Sequence, residues 1–153
     1  MKVYRPATVE DGTRVALNLR KEDKAELYGM GVGLSHIPYG LTCSEHATVF
    51  HNYQNEIAGV GGIVPLPDGS GSIWMLCTPA VYHMKTTLFR QTERWLKEVE
   101  TDYTMLSAYT DCRNKAHHRL LKFLGFRALR VVLVAPYQLP YLEVVRLCVS
   151  QQR

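Results

Sequence analysis

Residues 47–78 hold three apolar runs separated by two turn signals, and this spacing constrains the fold more than any other feature of the chain. "ATVFHNYQ" (47–54) alternates in the manner of a half-buried strand. "NE" (55–56) turns the chain into the glycine-rich run "IAGVGGIVPL" (57–66), and "PDGSG" (67–71) is a strong turn leading into "SIWMLCT" (72–78). Links this short join antiparallel neighbours, so the three runs predict a meander. The last run is too continuous to be half exposed, which predicts a central strand. Gly59, Gly61 and Gly62 mark either a bulge or a place where something lies close to the sheet, and the bulge is the preferred reading.

The flanking segments alternate helix and strand. "VYRPAT" (3–8) reads as a short strand, and Thr8 with Asp11 forms a capping box that starts a helix near Val9, running toward Arg20. Residues 21–31 predict a second short helix, stopped by Gly29 and Gly31, and 37–46 a further helical turn. In the longest helix Leu88, Thr92, Trp95, Leu96 and Val99 share a face, with Glu93 and Lys97 paired on the other side. "TMLSAYT" (104–110) is a strand. "NKAHHRLLKFLGF" (114–126) is a helix with Asn114 at its N-cap, Ala116, Leu120 and Leu124 on one face, and Gly125 at the left-handed C-cap position. Residues 128–137 and 142–150 give two last strands. The order β-α-α-β-β-β-α-β-α-β-β predicts an α/β or α+β fold, a single domain over residues 1–153.

Composition narrows the function classes. The chain is 46% hydrophobic and 21% charged, ordinary for a globular protein. Its net charge of +4 is scattered rather than gathered into the stripe that nucleic acid requires. No apolar run is long enough for a bilayer, and "MKVYRPATVEDG" lacks a signal-peptide core, so no membrane partner is expected and a cytoplasmic location is. Cys43, Cys77, Cys112 and Cys148 form no CxxC pair and read as reduced, mostly buried thiols.

The element order, the opening "YRPATVED" and the separation of Asn114 from Gly125-Phe126 together resemble the GNAT superfamily of acyl-CoA-dependent N-acyltransferases. "IWMLCTPAVYH", "LFRQTERWLKEV" and "AYTDCRNKAHHRLLKFLGF" are similar to GNAT-like proteins of tailed phages, some of which are virion components while others act on the host. The resemblance implies a mixed, mostly antiparallel central sheet of six to seven strands with helices on both faces. It implies acetyl-CoA or another acyl-CoA as donor, and no metal.

Three site features follow from that resemblance. A splayed strand pair should expose backbone to the pantetheine arm; the strands ending at Thr78 and Asp111 are the candidates, with Leu76, Cys77 and Thr78 along the arm. A pyrophosphate cradle should precede the long helix, yet "PAVYHMKTT" (79–87) contains no glycine to supply φ > 0. Lys85, Thr86, Thr87 and His83 offer charge and hydroxyls there, with Asn114 nearby; a plain solvated helix start is the competing reading. A catalytic Tyr should stand seven residues after the Asn, where this chain has Leu121. Asp111 is the nearest titratable group to the expected cleft and Tyr109 a second candidate. Capping Asn114 and Arg113 is the preferred role for Asp111, and sheet packing for Tyr109. His117 and His118 are helix neighbours whose side chains diverge, which argues against a shared metal ion.

The missing Tyr and glycines imply a protein degenerate in acyl transfer that binds a host protein, with acyl-CoA recognition retained. An active N-acetyltransferase and a virion component are the alternatives. The loop "APYQLPYLE" (135–143), with Tyr137 and Tyr141, offers a contact surface, or else a hairpin over the sheet edge or a homodimer seam.

Overall fold

The computed structural model describes residues 4–84 and 86–148. Thr8 caps the first helix as the capping box predicts: its hydroxyl accepts the Asp11 N–H at 3.2 Å, and the Asp11 carboxylate accepts the Thr8 N–H at 2.8 Å. Arg5 closes the other side of that carboxylate. From this start the elements run β1 (Tyr4–Pro6), α1 (Val9–Leu17), α2 (Lys21–Gly29), α3 (His36–Cys43), β2 (Glu45–His51), β3 (Ile57–Pro65) and β4 (Gly71–Cys77). A 3-10 helix, Pro79–His83, leads to α4 (Thr86–Val99). Then come β5 (Met105–Asp111), α5 (Lys115–Phe123), β6 (Arg127–Val134) and β7 (Leu139–Leu147). The segment read as one helical turn is a full short helix, α3.

The seven strands form one sheet in the order β1-β2-β3-β4-β5-β7-β6. The predicted meander is β2-β3-β4, and every pairing is antiparallel except β4 with β5. Helices cover both faces. Val15, Ile37 and Leu41 from α1 and α3 pack with Leu27 of α2 against Val49, Val60 and Leu76. On the other face Leu96 and Val99 of α4 and Leu120 and Leu121 of α5 pack against Ile63, Leu106 and Val144. Each fully buried aliphatic side chain here stabilises the fold by about 1.5–3 kcal/mol.

The β3 glycines serve both readings. The β2–β3 register shifts between Glu45 and Thr48 and again between Phe50 and His51, whereas β3 pairs with β4 without interruption. Close approach is the stronger constraint at Gly61, where a Cβ would stand 2.6 Å from the Trp74 carbonyl oxygen. Gly59 and Gly62 are similarly crowded, by Phe50 and Ser44.

Helix α5 ends as predicted, and starts differently. Gly125 has φ +86°, and the N–H groups of Gly125 and Phe126 donate to the carbonyls of Lys122 and Leu121, which is the Schellman arrangement. Asn114 stands at the N-cap without a side-chain cap bond, because its amide is drawn into a buried polar cluster. Ala116 is exposed; Leu121 joins Leu120 on the buried face instead. Tyr141, read as part of a contact surface, is fully buried and donates to the Glu26 carbonyl at 2.6 Å. Tyr137 does lie at the surface, stacked on Tyr28 with ring centroids 5.0 Å apart.

We expect Gly61→Ala to lose about 1–3 kcal/mol in a urea unfolding titration, since the clash is with backbone that cannot rotate away. Gly33→Ala is the control: a Cβ there meets nothing within 4 Å, and its cost should stay within about 0.5 kcal/mol.

Candidate active site

Strands β4 and β5 start side by side and then separate. Among the described residues their pairing covers Gly71 with Leu106 and Ser72 with Ser107, and then stops. The parting therefore comes well before the strands end at Cys77 and Asp111. Ile73, Trp74 and Met75 stay only half-buried although β4 is the middle strand, because the gap opens beside them.

Helix α2 holds the two strand ends apart. The Asp23 carboxylate accepts the Cys77 N–H at 2.9 Å, and the Arg20 N–H donates to the Cys77 carbonyl at 2.8 Å. One helical turn on, the Glu26 carboxylate accepts the Asp111 N–H at 2.7 Å and the Thr110 hydroxyl at 3.0 Å. Asp23 and Glu26 thus take the place of the ladder that β4 and β5 do not make with each other. All of these groups are buried, so each needs its partner. Arg20 grips Asp23 through Nε and Nη2 at 3.2 and 3.1 Å and donates to Asn114 Oδ1 at 3.1 Å. Burial works against the Arg20 charge, but the Asp23 pairing outweighs it and keeps the guanidinium protonated.

A cavity of about 380 Å³ occupies the gap. Leu27, Ile37, Trp74 and Leu76 line it from the α1–α3 face, and Met75, Leu88, Leu120 and Leu121 from the α4–α5 face. It is therefore a passage through the sheet rather than a groove on one side. Glu26 and His117 both line it. His117 Nδ1 lies 4.0 Å from Glu26 Oε2, an ion-pair distance, and 3.4 Å from the Thr110 hydroxyl. Burial pushes the Glu26 carboxyl up; His117, the Asp111 N–H and the Thr110 hydroxyl pull it down further, and the net is a carboxyl held below its ordinary range.

The residues singled out in the sequence take varied positions. Tyr109 lines the cavity and is partly exposed. Asp111 is tied to Arg113 at 2.6 Å; Arg113 and its backbone N–H hold the carboxyl low against the pull of burial, and it does not line the cavity. Leu76 lines the cavity by its side chain. The backbone of Cys77 is used by Arg20 and Asp23, and the Thr78 N–H by Ala58. Strand alternation puts the N–H and C=O of Met75 on the same edge as those of Cys77, facing the gap. Burial pushes the Cys77 thiol well above its ordinary value, and the nearby Asp23 adds to the effect. Thr86 opens α4 and is exposed, and Asn114 belongs to the Arg20–Asp23 cluster. Lys85 lies outside the described residues. His118 diverges from its neighbour as the sequence requires, toward the Asp111 carbonyl at 3.0 Å. No group of three or more His, Cys, Asp or Glu is placed to hold a metal ion among the described residues.

Sequence reasoning passes over Glu26, Met75 and Gln91, and weighs His117 only beside His118 for a metal ion. His117 precedes Leu121 by four residues, one helical turn, so the face that lacks the tyrosine carries a histidine instead. That spacing was available in the sequence. Gln91 of α4 also lines the cavity, and its Oε1 is buried without a hydrogen-bond partner among the described residues. Nothing in the sequence marks it.

No family model matches the chain, and no curated protein matches its sequence. Solved structures do match its fold. An acetyltransferase of the GNAT family from Bacillus anthracis superposes with a TM-score of 0.70 at 13% identity, over 94% of this chain and 93% of that one. The aminoglycoside N(6')-acetyltransferase of Legionella pneumophila gives 0.71 at 13%, over 98% and 95%. The spermidine N-acetyltransferase of Vibrio cholerae, solved with CoA and spermine, gives 0.69 at 11%, over 98% and 97%. The chain has the fold of the GNAT acetyltransferases. A link to phage proteins in particular gains no support from these neighbours.

We expect Asp23→Ala to cost about 3–5 kcal/mol by urea unfolding, because it strands the buried Arg20 charge and the Cys77 N–H together. Asp23→Asn keeps an acceptor for that N–H and should cost less.

Proposed function

We propose that this GNAT-fold chain is an N-acyltransferase that moves an acyl group from a thioester donor to an amine. The observation that carries this reading is the passage between β4 and β5 with the Glu26–His117 pair inside it. A donor and an acceptor entering from opposite faces of the sheet would meet beside that pair, and little more than alignment and proton removal is then required.

The cavity fits the arm end of an acyl-CoA. Met75 N–H faces the gap where a thioester carbonyl would lie, and Gln91 Oε1 waits for an N–H donor of the kind a pantetheine amide supplies. The phosphate end fits less well. The N–H groups of Ala80, Val81, Met84 and Thr87 are already bonded within the turn, to Thr78, Val81 and Met84. They form no cradle of free donors, in keeping with the absent glycines. A bound acyl-CoA would supply the activated acyl group; the rest of the work belongs to this chain.

An alkylamine is protonated at neutral pH and attacks only after losing a proton. Glu26, held ionised, attracts the ammonium into the passage, and His117 beside it takes the proton directly or through a water. Thr110 links the two by donating to Glu26 Oε1. Met75 N–H offers a hydrogen bond to the oxygen on which charge develops. Leu121, standing where the resemblance places a tyrosine, gives the leaving sulfur no proton from that position, so that proton comes from solvent or from the protonated His117.

A second reading is a protein that keeps the fold for binding a host protein and has lost the chemistry. The occupied N–H groups of Ala80, Val81, Met84 and Thr87 favour it. A millimolar dose of acetyl-CoA tests the first reading: the transferase requires a rise in Tm, and no shift would leave the binding protein. Glu26→Gln keeps an acceptor for the Asp111 N–H but loses the charge. We expect it and His117→Ala each to lower kcat by roughly 10²–10⁴-fold while leaving the KM for acetyl-CoA within a small factor. Unchanged kcat in both variants would remove the pair from the mechanism.

A further inference from the structure

We propose that the acceptor is a monoamine with a flat apolar body, an arylalkylamine in chemical class, and not a polycation. The inference rests on the acyltransferase reading and adds its substrate. Its ground is the α1–α3 face of the passage, where Leu27, Met30, Ile37 and Trp74 meet Tyr109 near Glu26. Among the described residues that line the cavity, Glu26 is the one carboxylate, and none is Lys or Arg.

The charge count decides between amine classes. One carboxylate balances one ammonium. The second and third charges of a polyamine, or the several of an aminoglycoside, would be drawn into an apolar passage with no counter-charge, at a steep desolvation cost. The solved neighbours named for spermidine and for aminoglycosides share the fold, and this chain's lining does not suit either substrate.

The wall is also built to stay in place. Trp74 Nε1 donates to Ser44 Oγ at 2.8 Å, and Ser44 Oγ donates in turn to the Gly40 carbonyl at 2.7 Å. The indole rests against Gly40, where a Cβ would stand 3.6 Å from the ring, at ordinary van der Waals contact. A planar group slid along this face gains aromatic contact without reordering the side chains, while its ammonium reaches Glu26. His36, which also lines the cavity, offers a polar contact for a ring substituent.

The test uses phenethylamine, spermidine and kanamycin with the purified full chain. Binding is read without acetyl-CoA, as saturable quenching of tryptophan fluorescence, and turnover is read as CoA release. Phenethylamine should bind and turn over with at least about ten-fold advantage over both polycations, the margin a mismatched pocket produces. Trp74→Ala should weaken its binding by a similar factor, read in that variant by titration calorimetry. Met30→Glu, which adds a second carboxylate at a half-buried lining position, should raise spermidine binding and lower that of phenethylamine. If spermidine or kanamycin binds better than phenethylamine in the unsubstituted protein, the assignment is overturned. If phenethylamine binds best and no amine is acetylated, the passage's ligand class stands, the amine is no acceptor, and the acyltransferase reading fails.

Discussion

Two carboxylates one helical turn apart determine the centre of this molecule. Asp23 takes the N–H of Cys77 at the end of β4, and Glu26 takes the N–H of Asp111 at the end of β5. Parallel neighbours in a sheet normally satisfy those groups on each other. Here they stop pairing after Ser72 and Ser107, and α2 supplies the acceptors instead. The backbone polar groups of a parted sheet would otherwise be buried without partners, at roughly 1–3 kcal/mol each. The wedge is thus a fixed feature, closed at its end by helix side chains, with the cavity behind them.

The same residues join the brace to the cavity. Glu26 uses one oxygen to hold β5 and turns the other to His117, so the carboxylate that braces the wedge also faces its cavity. Arg20 and Asn114 secure Asp23 and thereby link the start of α2 to the start of α5. That explains why Asn114 does not cap its own helix: a buried amide beside a buried ion pair is worth more to the fold than an N-cap bond on the surface.

Much of the fold was legible in the residues. The turn signals at 55–56 and 67–71 gave the meander its order, Thr8 and Asp11 set the first helix, and Gly125 set the end of the last one. The strand–helix sequence carried the resemblance that places helices on both sides of a mostly antiparallel sheet. The site was read less well. The wedge depends on contacts between Asp23 and Cys77, far apart in the chain, and no local pattern announces such a pair. Leu76, Cys77 and Thr78 were picked out as a run, but strand alternation sends the backbone of Leu76 and Thr78 to β3 and that of Met75 and Cys77 to the gap. Nothing in the polar pattern of residues 21–31 sets Glu26 apart from the other charges. His117 was weighed beside His118 as a metal pair, and its spacing from Leu121 was passed over.

A crystal structure of the chain soaked with acetyl-CoA tests the central claim most directly. The thioester should lie between β4 and β5, its carbonyl oxygen within hydrogen-bond distance of the Met75 N–H, with the Glu26–His117 pair on the acceptor side. Acetyl-CoA bound away from the gap, or strands paired through to Cys77 and Asp111, would contradict it.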